Sequence, residues 1–554
     1  MKFAQGGKRA GFAPAYFHLA ALAYVLAGVV AAAWLAPRVP YADAWRHYAR
    51  LLTQPFPASV LAVDNGHPEL FANLVRLVDL RWFAGTEYVQ IAVALLLALA
   101  TLGVLLRVLV HTADMDAGAR AAVSLTLVLG LFWLVNERAL AHANDGLHVY
   151  CVLFLLAVMI ALLVREDRAL TRARVLFASV LCLAAALNFG SGIAAFVALG
   201  ALLFVRRANA AAFSIAGVAL LVTVASYWML KRGQAIPLTF KPVEQLTFAL
   251  SQLAAPLQYL FWPFVDPVAA AQVPMPIGVF ALACAGAWQR IFGDVHSSVL
   301  PQSICGALLI AALALASLRA RRTSNETVRV GIALAWFGVA VSAVIALSRT
   351  DYFTQYPTQL YAPRYLPWST LAWSGMLIAL IGSPSARRLA IVLALAVSVF
   401  ALPAEIGMTR IMRHQREVAD DVALAAVVGI WPDRGGAGEI DASDTRAGAE
   451  AMRRYATGPF AWPEAALIGK SIPGDAHPLA AVDLKVVAVN NGINTDAQRI
   501  EANLPALACA HARLLVVDDT HVVGLLREVA PQRWRGAALA ASDVPLRVFE
   551  PRCN

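Results

Sequence analysis

The sequence predicts an α-helical polytopic membrane protein with 11–13 transmembrane helices and a small C-terminal soluble domain of α/β or α+β class. Of its 554 residues, 60% are hydrophobic and 14% are charged, whereas soluble domains have about 25% charged residues. Long apolar segments recur up to residue 402, and the composition is mixed after it. These observations exclude a soluble cytosolic enzyme, a disordered chain and a small secreted domain held by disulfides.

Thirteen segments approach the length of about 20 apolar residues that a helix needs to cross the hydrocarbon core. They are residues 15–35, 88–110, 121–134, 149–164, 175–187, 192–205, 213–230, 248–264, 277–288, 304–318, 330–347, 368–381 and 389–402. Prolines interrupt or flank 248–264 and 277–288, so these two fit either full spans or re-entrant segments. Segment 15–35 is longer than the apolar part of a usual signal peptide and predicts an uncleaved anchor.

The distribution of basic residues predicts the orientation. The net charge is +10, and the whole excess lies within residues 1–406. Counted along the spans, the basic clusters near residues 2–9, 165–174, 206–207, 319–329 and 387–388 all fall on one side, which the positive-inside rule assigns to the cytoplasm. We therefore expect a multi-pass protein of the bacterial inner membrane with a cytoplasmic N-terminus. No basic run is interleaved with aromatic residues, so nucleic acid is not an expected partner.

The same count places the end of the chain outside, with either 11 or 13 spans. Residues 1–406 form the predicted transmembrane domain, with an outer loop over 37–87, and residues 407–554 form the predicted periplasmic domain. In that domain the pattern indicates a helix over 410–430 and strands over 484–489, 514–517 and 546–549. Cys509 and Cys553 should form a disulfide in an oxidising compartment, although two free thiols are the alternative.

Polar residues that could carry chemistry concentrate on the predicted outer side. The first outer loop contains Asp43, then His67 and Glu69 after an Asn65-Gly66 turn. Residues 70–83 alternate leucines with Asn, Arg and Asp, the pattern of an amphipathic helix in the membrane interface. Later outer loops add Glu137 and Asp145, and then Arg349, Arg364 and Tyr365.

This arrangement resembles the GT-C superfamily of membrane glycosyltransferases, in particular poorly characterised bacterial GT-C-like proteins. The resemblance covers residues 10–405. It includes an acidic residue after the first span, the string Asn65-Gly66-His67 followed by residues 79–83, the turn at 187–192 and the Pro363-Arg364-Tyr365 string. It implies transfer of a sugar from a polyprenyl-phosphate carrier to a glycan or lipid acceptor at the periplasmic face, with membrane lipids as further partners.

The resemblance also implies roles for residues. Asp43 takes the place of the acidic residue that acts as base or orients the acceptor. Some members of the superfamily bind a divalent cation, Mg²⁺ or Mn²⁺, through a second acidic residue. Glu137 and Asp145 are the positions available for that role, and their pairing does not identify a metal site.

General chemistry supports similar assignments. A carboxylate can remove the proton of an acceptor hydroxyl, and an anion stabilises an oxocarbenium-like transition state. Arg364, Arg349 or His67 could neutralise the departing lipid phosphate, arginine with bidentate geometry. We therefore interpret these three residues, with Glu69 and Tyr365, as the substrate-binding set.

Each residue also has a structural interpretation. Asp43 could pair with a neighbouring arginine or cap a helix, and His67 and Glu69 could only shape the turn. Glu137 and Asp145 could be interfacial charges or helix caps. Arg364 could anchor a helix by extending to the interface, and Tyr365 could belong to an aromatic belt.

Three other functions stay open at this point. A lipid-linked glycan polymerase or ligase would use the same donors, but its key residues usually lie in a large late outer loop. A transporter or flippase of lipid-linked sugars would favour internal repeats and charges near the bilayer middle. A structural or assembly protein could bind a partner through its C-terminal domain.

The cysteine prediction can be checked by thiol labelling. Without reductant, neither Cys509 nor Cys553 should react with a maleimide in denatured protein, and both should react after reduction. The Cys509→Ser variant is the control, because it should leave Cys553 reactive without reductant. Ready labelling of the unreduced parent chain would show that the disulfide does not form.

Overall fold

The computed structural model describes residues 12–110, 115–165, 167–230, 239–322, 325–431, 441–479, 483–489, 496–504, 507, 513–541 and 543–551. Cys509 and Cys553 lie outside the described residues. The helices are α1 Phe12–Leu35, α2 Ala44–Thr53, α3 Ala58–Leu61, α4 Leu70–Trp82, α5 Tyr88–Val110, α6 Ala117–Phe132, α7 Glu137–Ala141, α8 Ala143–Leu163, α9 Arg172–Asn188, α10 Ala195–Val205, α11 Ala210–Leu230, α12 Pro242–Leu253, α13 Ala255–Leu260, α14 Trp262–Val265, α15 Pro267–Ala270, α16 Ile277–Phe292, α17 Leu300–Ala320, α18 Glu326–Gln355, α19 Leu366–Gly382, α20 Arg387–Phe400, α21 Leu402–Val428 and α22 Ala442–Arg454. The strands are β1 Val63–Asp64, β2 His67–Pro68, β3 His477–Pro478, β4 Asp483–Val489, β5 Ala497–Asn503, β6 Leu514–Val517, β7 Val522–Ala530, β8 Arg533–Leu539 and β9 Arg547–Glu550.

The chain divides into two compact units. The helical unit consists of Met1–Trp34, Ala62–Phe71 and Ala92–Arg410. The sheet-containing unit consists of Leu35–Leu61, Ala72–Ile91 and Ile411–Asn554. Parts of the predicted first outer loop thus belong to the same compact unit as the C-terminal residues.

Most of the apolar segments predicted from the sequence form long helices, but segment 248–264 is divided among the short helices α12, α13 and α14. Within the described ranges, nine helices are long and apolar enough to cross a membrane. They are Pro14–Leu35, Tyr88–Val110, Ala117–Ala141, Ala143–Leu163, Ala210–Leu230, Leu300–Ala320, Glu326–Gln355, Pro357–Gly382 and Arg387–Val428. Gly190–Val205 and Ile277–Phe292 are shorter apolar helices. The chain is therefore a polytopic helical membrane protein with a C-terminal β-sheet region.

The helices differ in what surrounds them. In the most apolar 18-residue stretch of Ala117–Ala141, 83% of the residues are buried within the protein, whereas the corresponding share in α11 is 17%. Large apolar side chains of α11 point outward, among them Leu221 and Trp228. Such a helix is stable in a hydrocarbon layer, because lipid tails rather than water contact its apolar surface.

Small residues allow α18 and α19 of the helical unit to pack closely. A Cβ atom on Gly331 would overlap the carbonyl oxygen of Gly375, and a Cβ atom on Gly375 would lie 2.5 Å from the amide nitrogen of Ala335. This contact between backbones is typical of membrane helices, whose association depends on van der Waals packing. The pair places the C-terminal end of α18 and the N-terminal end of α19 together.

The sheet-containing unit has a seven-stranded sheet in the order β3-β9-β6-β7-β8-β5-β4, and all its pairs are antiparallel. Leu424 and Val427 of α21 pack with Leu515 and Leu525 in one core. A second core contains residues of alternate orientation on the same strands, among them Trp534. The predicted strands correspond to β4, β6 and β9, and the predicted helix over 410–430 corresponds to the second part of α21.

Segments of the first outer loop complete the core of this unit. Trp45 and Tyr48 of α2 are fully buried and pack with Ala423 and Met452. The helix predicted over 70–83 is observed as α4. Its polar residues Asn73, Arg76 and Asp79 are buried, whereas its leucine Leu74 and terminal Trp82 are exposed. The polar face of α4 therefore points into the protein, and part of its apolar face points outward.

Close packing of α18 on α19 predicts a specific sensitivity to side-chain size. Gly331→Val should lower the free energy of unfolding by about 1–3 kcal/mol, the usual cost of overpacking. Gly217→Val is the matched control, because a Cβ atom on Gly217 would meet no atom within 4 Å. Thermal unfolding in detergent measures the difference. Equal unfolding temperatures for the two variants would contradict the packing.

Candidate functional site

A tight hairpin presents the first site residues of the helical unit. Asn65 and Gly66 have φ angles of 47° and 76°, which suit an Asn-Gly hairpin turn. Asp64 pairs with His67 across the turn. His67 Nδ1 lies 2.8 Å from the hydroxyl of Tyr227, and that hydroxyl donates to the carbonyl of Gly66 over 2.7 Å. Since the hydroxyl proton is used there, the oxygen accepts from His67 Nδ1–H.

His148 lies between two carboxylates. Its ring is stacked on Phe189 with centroids 3.9 Å apart and an interplanar angle of 10°. His148 Nδ1 is 3.9 Å from Glu69 Oε1, and His148 Nε2 is 4.0 Å from Asp145 Oδ1. These distances are too long for direct hydrogen bonds, but His148 and Glu69 are both buried, so the charges act on each other at low effective dielectric.

Helix α7, the first turn of α8 and His142 between them supply two acid–base pairs. Arg138 Nε donates to Asp145 Oδ2 over 2.8 Å. His142 Nε2 lies 3.3 Å from Glu137 Oε2, and Glu137 is fully buried. Glu137 and Asp145 are therefore both held by a neighbouring basic side chain.

The turn after α9 closes this group of residues. Asn188 Oδ1 accepts from the backbone N–H of Phe71 over 2.9 Å, and its amide donates to the carbonyl of Ala184. Any side chain on Gly190 would overlap the imidazole of His67. Glycine at this position allows the turn to approach the His67–Tyr227 pair. We call His67, Glu69, Asp145, His148 and Tyr227 the imidazole–carboxylate cluster.

A group of arginine and tyrosine side chains lies at the ends of α18 and α19. Arg364 Nη2 donates to the hydroxyl of Tyr352 over 3.0 Å and to Gln359 Oε1 over 2.8 Å. Its guanidinium also lies over the ring of Tyr365, 5.0 Å from the centroid. Arg349 interrupts the helical geometry of α18, with φ −126° and ψ 16°, and its guanidinium is 6.0 Å from the ring centroid of Tyr352.

The structure brings several predicted site residues of the helical unit to one region. The turn that carries Arg364 and Tyr365 packs against α7, which begins at Glu137. The turn after α9 packs both against α9 and against α18. The imidazole–carboxylate cluster and the arginine–tyrosine group therefore lie at the same ends of the packed helices.

Asp43 belongs to the sheet-containing unit. Its Oδ1 is 3.0 Å from Arg46 Nη2, and its side chain is 43% exposed. Although Asp43 precedes α2, its side chain makes no capping hydrogen bond. Arg46 also contacts Asp444 at 3.0 Å. Of the structural alternatives for Asp43, pairing with Arg46 is observed, and its catalytic role stays a prediction.

The sheet-containing unit has a buried polar network of its own. The hydroxyl of Tyr48 donates to Glu87 Oε1 over 2.8 Å. Gln90 Nε2 donates to Tyr48 and to Asp79 Oδ2, and the Glu87 N–H also donates to Asp79 Oδ2. Burial raises the pKa of Glu87 to about 8, although the Tyr48 hydrogen bond opposes the rise. Burial also raises the pKa of Asp79.

Among the described residues, no group of three or more His, Cys, Asp or Glu side chains is arranged to hold a metal ion. Glu137 and Asp145, the positions considered for a divalent cation, lie beside His142 and Arg138 respectively.

Sequence reasoning did not select His148, Tyr227 or Phe189 as site residues. His148 had a local signal, since it follows Asp145 by three residues and shares its helix face. Tyr227 had none, because it lies within an apolar span and meets His67 across 160 positions. No family model matches the chain, and neither does any curated protein or solved structure.

The raised pKa of Glu87 predicts how stability varies with pH. The unfolded carboxyl ionises near its ordinary value of 4.5, whereas the folded one holds its proton to about 8. The contribution of Glu87 to stability is thus complete below pH 4.5 and is lost as the pH rises through 8. Glu87→Gln should flatten this decline in a series of thermal unfolding measurements in detergent, leaving the smaller part due to Asp79.

Glu450→Gln is the control for this series, because the Glu450 side chain is 61% exposed. It should leave the pH dependence unchanged. If the parent chain and Glu87→Gln lose stability in parallel between pH 5 and 8, Glu87 does not titrate as the buried network requires.

Proposed function

We propose that this protein is a membrane glycosyltransferase of GT-C type that transfers a sugar from a polyprenyl-phosphate carrier to a cell-envelope glycan or lipid acceptor. The setting we propose is the periplasmic face of a bacterial inner membrane, with a cytoplasmic N-terminus. The observation that carries the proposal is the imidazole–carboxylate cluster, which collects buried and half-buried titratable side chains at the ends of apolar helices. Such residues are costly in a membrane protein and typically serve function.

The cluster suits proton transfer from an acceptor hydroxyl. As the glycosidic bond forms, the hydroxyl oxygen attacks the anomeric carbon, the bond to the carrier phosphate breaks, and the hydroxyl proton passes to a base. Glu69 and His148 are our candidates for this base, because their side chains are adjacent. Asp145 is neutralised by Arg138 at 2.8 Å and is better suited to orienting His148.

The departing group is a lipid phosphate, and its negative charge needs a cation. Arg364 can supply this charge, and its bonds to Tyr352 and Gln359 hold the guanidinium in a defined orientation. Arg349 and His67 are the other candidates. An arginine can bind two phosphate oxygens at once, which positions the leaving group as well as stabilising it.

Asp43 is the alternative base that the resemblance implies. Its carboxylate forms a salt bridge with Arg46 and is 43% exposed, whereas Glu69 and His148 are buried within the cluster. We therefore assign the base to Glu69 and His148, and treat Asp43 as the residue that the experiment must distinguish from them.

Sugar transfer by purified protein in nanodiscs tests the assignment. With a panel of radiolabelled polyprenyl-phosphate hexoses and envelope extract as acceptor, Glu69→Gln and His148→Asn should each lower the rate by about 10²–10⁴-fold, the usual contribution of an acid–base group. Arg364→Ala should lower it by a similar factor, since the leaving phosphate loses its cation. Glu244→Gln, whose side chain is 45% exposed, should be unchanged.

The variants discriminate between outcomes when folding is checked by thermal unfolding. If Asp43→Asn loses sugar transfer while Glu69→Gln and His148→Asn retain it in full, Asp43 is the catalytic base. If the parent chain transfers sugar from no donor but moves a labelled carrier across the bilayer, the protein is a transporter and not a glycosyltransferase.

A further inference from the structure

One edge of the His67 imidazole is covered by other parts of the helical unit. Nδ1 lies 2.8 Å from the hydroxyl of Tyr227, which donates its own proton to the carbonyl of Gly66 over 2.7 Å. A Cβ atom on Gly190 would overlap Nδ1 and lie 2.9 Å from the same hydroxyl. The ring is nevertheless only half-buried. A ligand that bonds to this ring therefore does so through its other nitrogen, Nε2.

The two hydrogen bonds of Tyr227 determine where the proton of a neutral His67 resides. A neutral imidazole has one N–H, and its second nitrogen accepts. Because the Tyr227 proton is used by Gly66, the hydroxyl oxygen can only accept from His67, and the single imidazole proton stays on Nδ1. Nε2 then presents a lone pair, which repels a phosphate oxygen. In the imidazolium both nitrogens donate, so that Nε2–H can bind the phosphate oxygen.

We propose that Tyr227 is a positioning residue that restricts phosphate binding by His67 to the protonated imidazole. The inference rests on the proposed function and adds how the same site recognises the carrier phosphate and responds to pH. With a protonated ring, Nε2–H donates to a phosphate oxygen and stabilises the negative charge that develops as the bond to the sugar breaks. With a neutral ring, the site loses both the charge and the donor. The carrier should therefore bind more tightly at low pH.

Other titratable groups lie around His67, and they come from the hairpin and its continuation, from α11 and from α8. They are Asp64, Glu69, Tyr227, His148 and Asp145. The end of α9, which packs against β2, brings the uncharged Asn188. Apart from the tyrosine hydroxyl, all of these groups are present in both the parent chain and Tyr227→Phe. A comparison of the two chains therefore isolates the effect of that hydroxyl.

Nitrogen NMR of the protein in nanodiscs tests the position of the proton. With ¹⁵N-labelled histidine and neutral imidazoles, the signals that disappear in His67→Gln should show the proton on Nδ1. Tyr227→Phe should move part of it to Nε2. Thr223→Val is the matched control, because it removes a buried hydroxyl from the same helix whose bond to the Ala219 carbonyl stays within that helix. A proton on Nε2 of neutral His67 in the parent chain would overturn the inference.

Binding of farnesyl methyl phosphate tests the consequence, since this diester keeps one negative charge and needs no knowledge of the sugar. Between about pH 5 and about pH 8, the range in which imidazoles lose their charge, the parent chain and Thr223→Val should bind it about tenfold more weakly, the effect of one hydrogen bond to a charged group. Tyr227→Phe should lose only about threefold, because its neutral ring can donate from Nε2 and a neutral hydrogen bond has about half the strength. His67→Gln should lack this pH dependence.

The outcomes separate this inference from the proposed function. If the hydroxyl of Tyr227 is merely structural, Tyr227→Phe binds more weakly by the same factor at every pH, and the inference is overturned. Sugar transfer that depends on Glu69 and His148, together with equal pH dependence in the parent chain and Tyr227→Phe, would overturn the role of Tyr227 alone. The expected difference in pH dependence, without sugar transfer from any donor, would support Tyr227 and His67 and overturn the glycosyltransferase.

Discussion

Polar groups inside a hydrocarbon layer must find their partners within the protein, because lipid offers none. The helical unit meets this constraint by collecting ionisable side chains where helices end and turns expose backbone groups. Arg138 is bonded to Asp145, Glu137 lies beside His142, and His67 is bonded to Tyr227. The position of the candidate site follows from this requirement, since the long apolar surfaces of the helices leave few other places for charge.

The same constraint explains why the cluster is held by close packing as well as by charge. Within the described part of the helical unit, Phe189 supports the ring of His148, and Gly190 allows the turn to reach His67. A buried imidazole near two carboxylates is stable only if its position and protonation are controlled. Stacking, the Asn188 hydrogen bond and the absence of a side chain at Gly190 provide this control, and they would also keep a base in position for reaction.

The candidate site could be predicted only in part. Polar strings in the outer loops drew attention to His67, Glu69, Glu137, Asp145, Arg349, Arg364 and Tyr365, and the structure brings these residues to the same helix ends. His148 and Tyr227 were missed because a single histidine or tyrosine at an apolar helix carries little information by itself. Strands β5, β7 and β8 were missed for a similar reason, since arginines and glycines interrupt their apolar pattern.

The amino-acid sequence by itself determined the membrane class, the approximate positions of the long helices and the change to a mixed composition near the end of the chain. These properties depend on local composition, because the cost of placing a segment in hydrocarbon is a sum over its own residues. Only the tertiary structure decided that α2 and all but the first two residues of α4 share a compact unit with the C-terminal sheet, and that His148 lies beside Glu69. Such contacts join residues far apart in the chain, and they depend on how whole helices pack rather than on any local pattern.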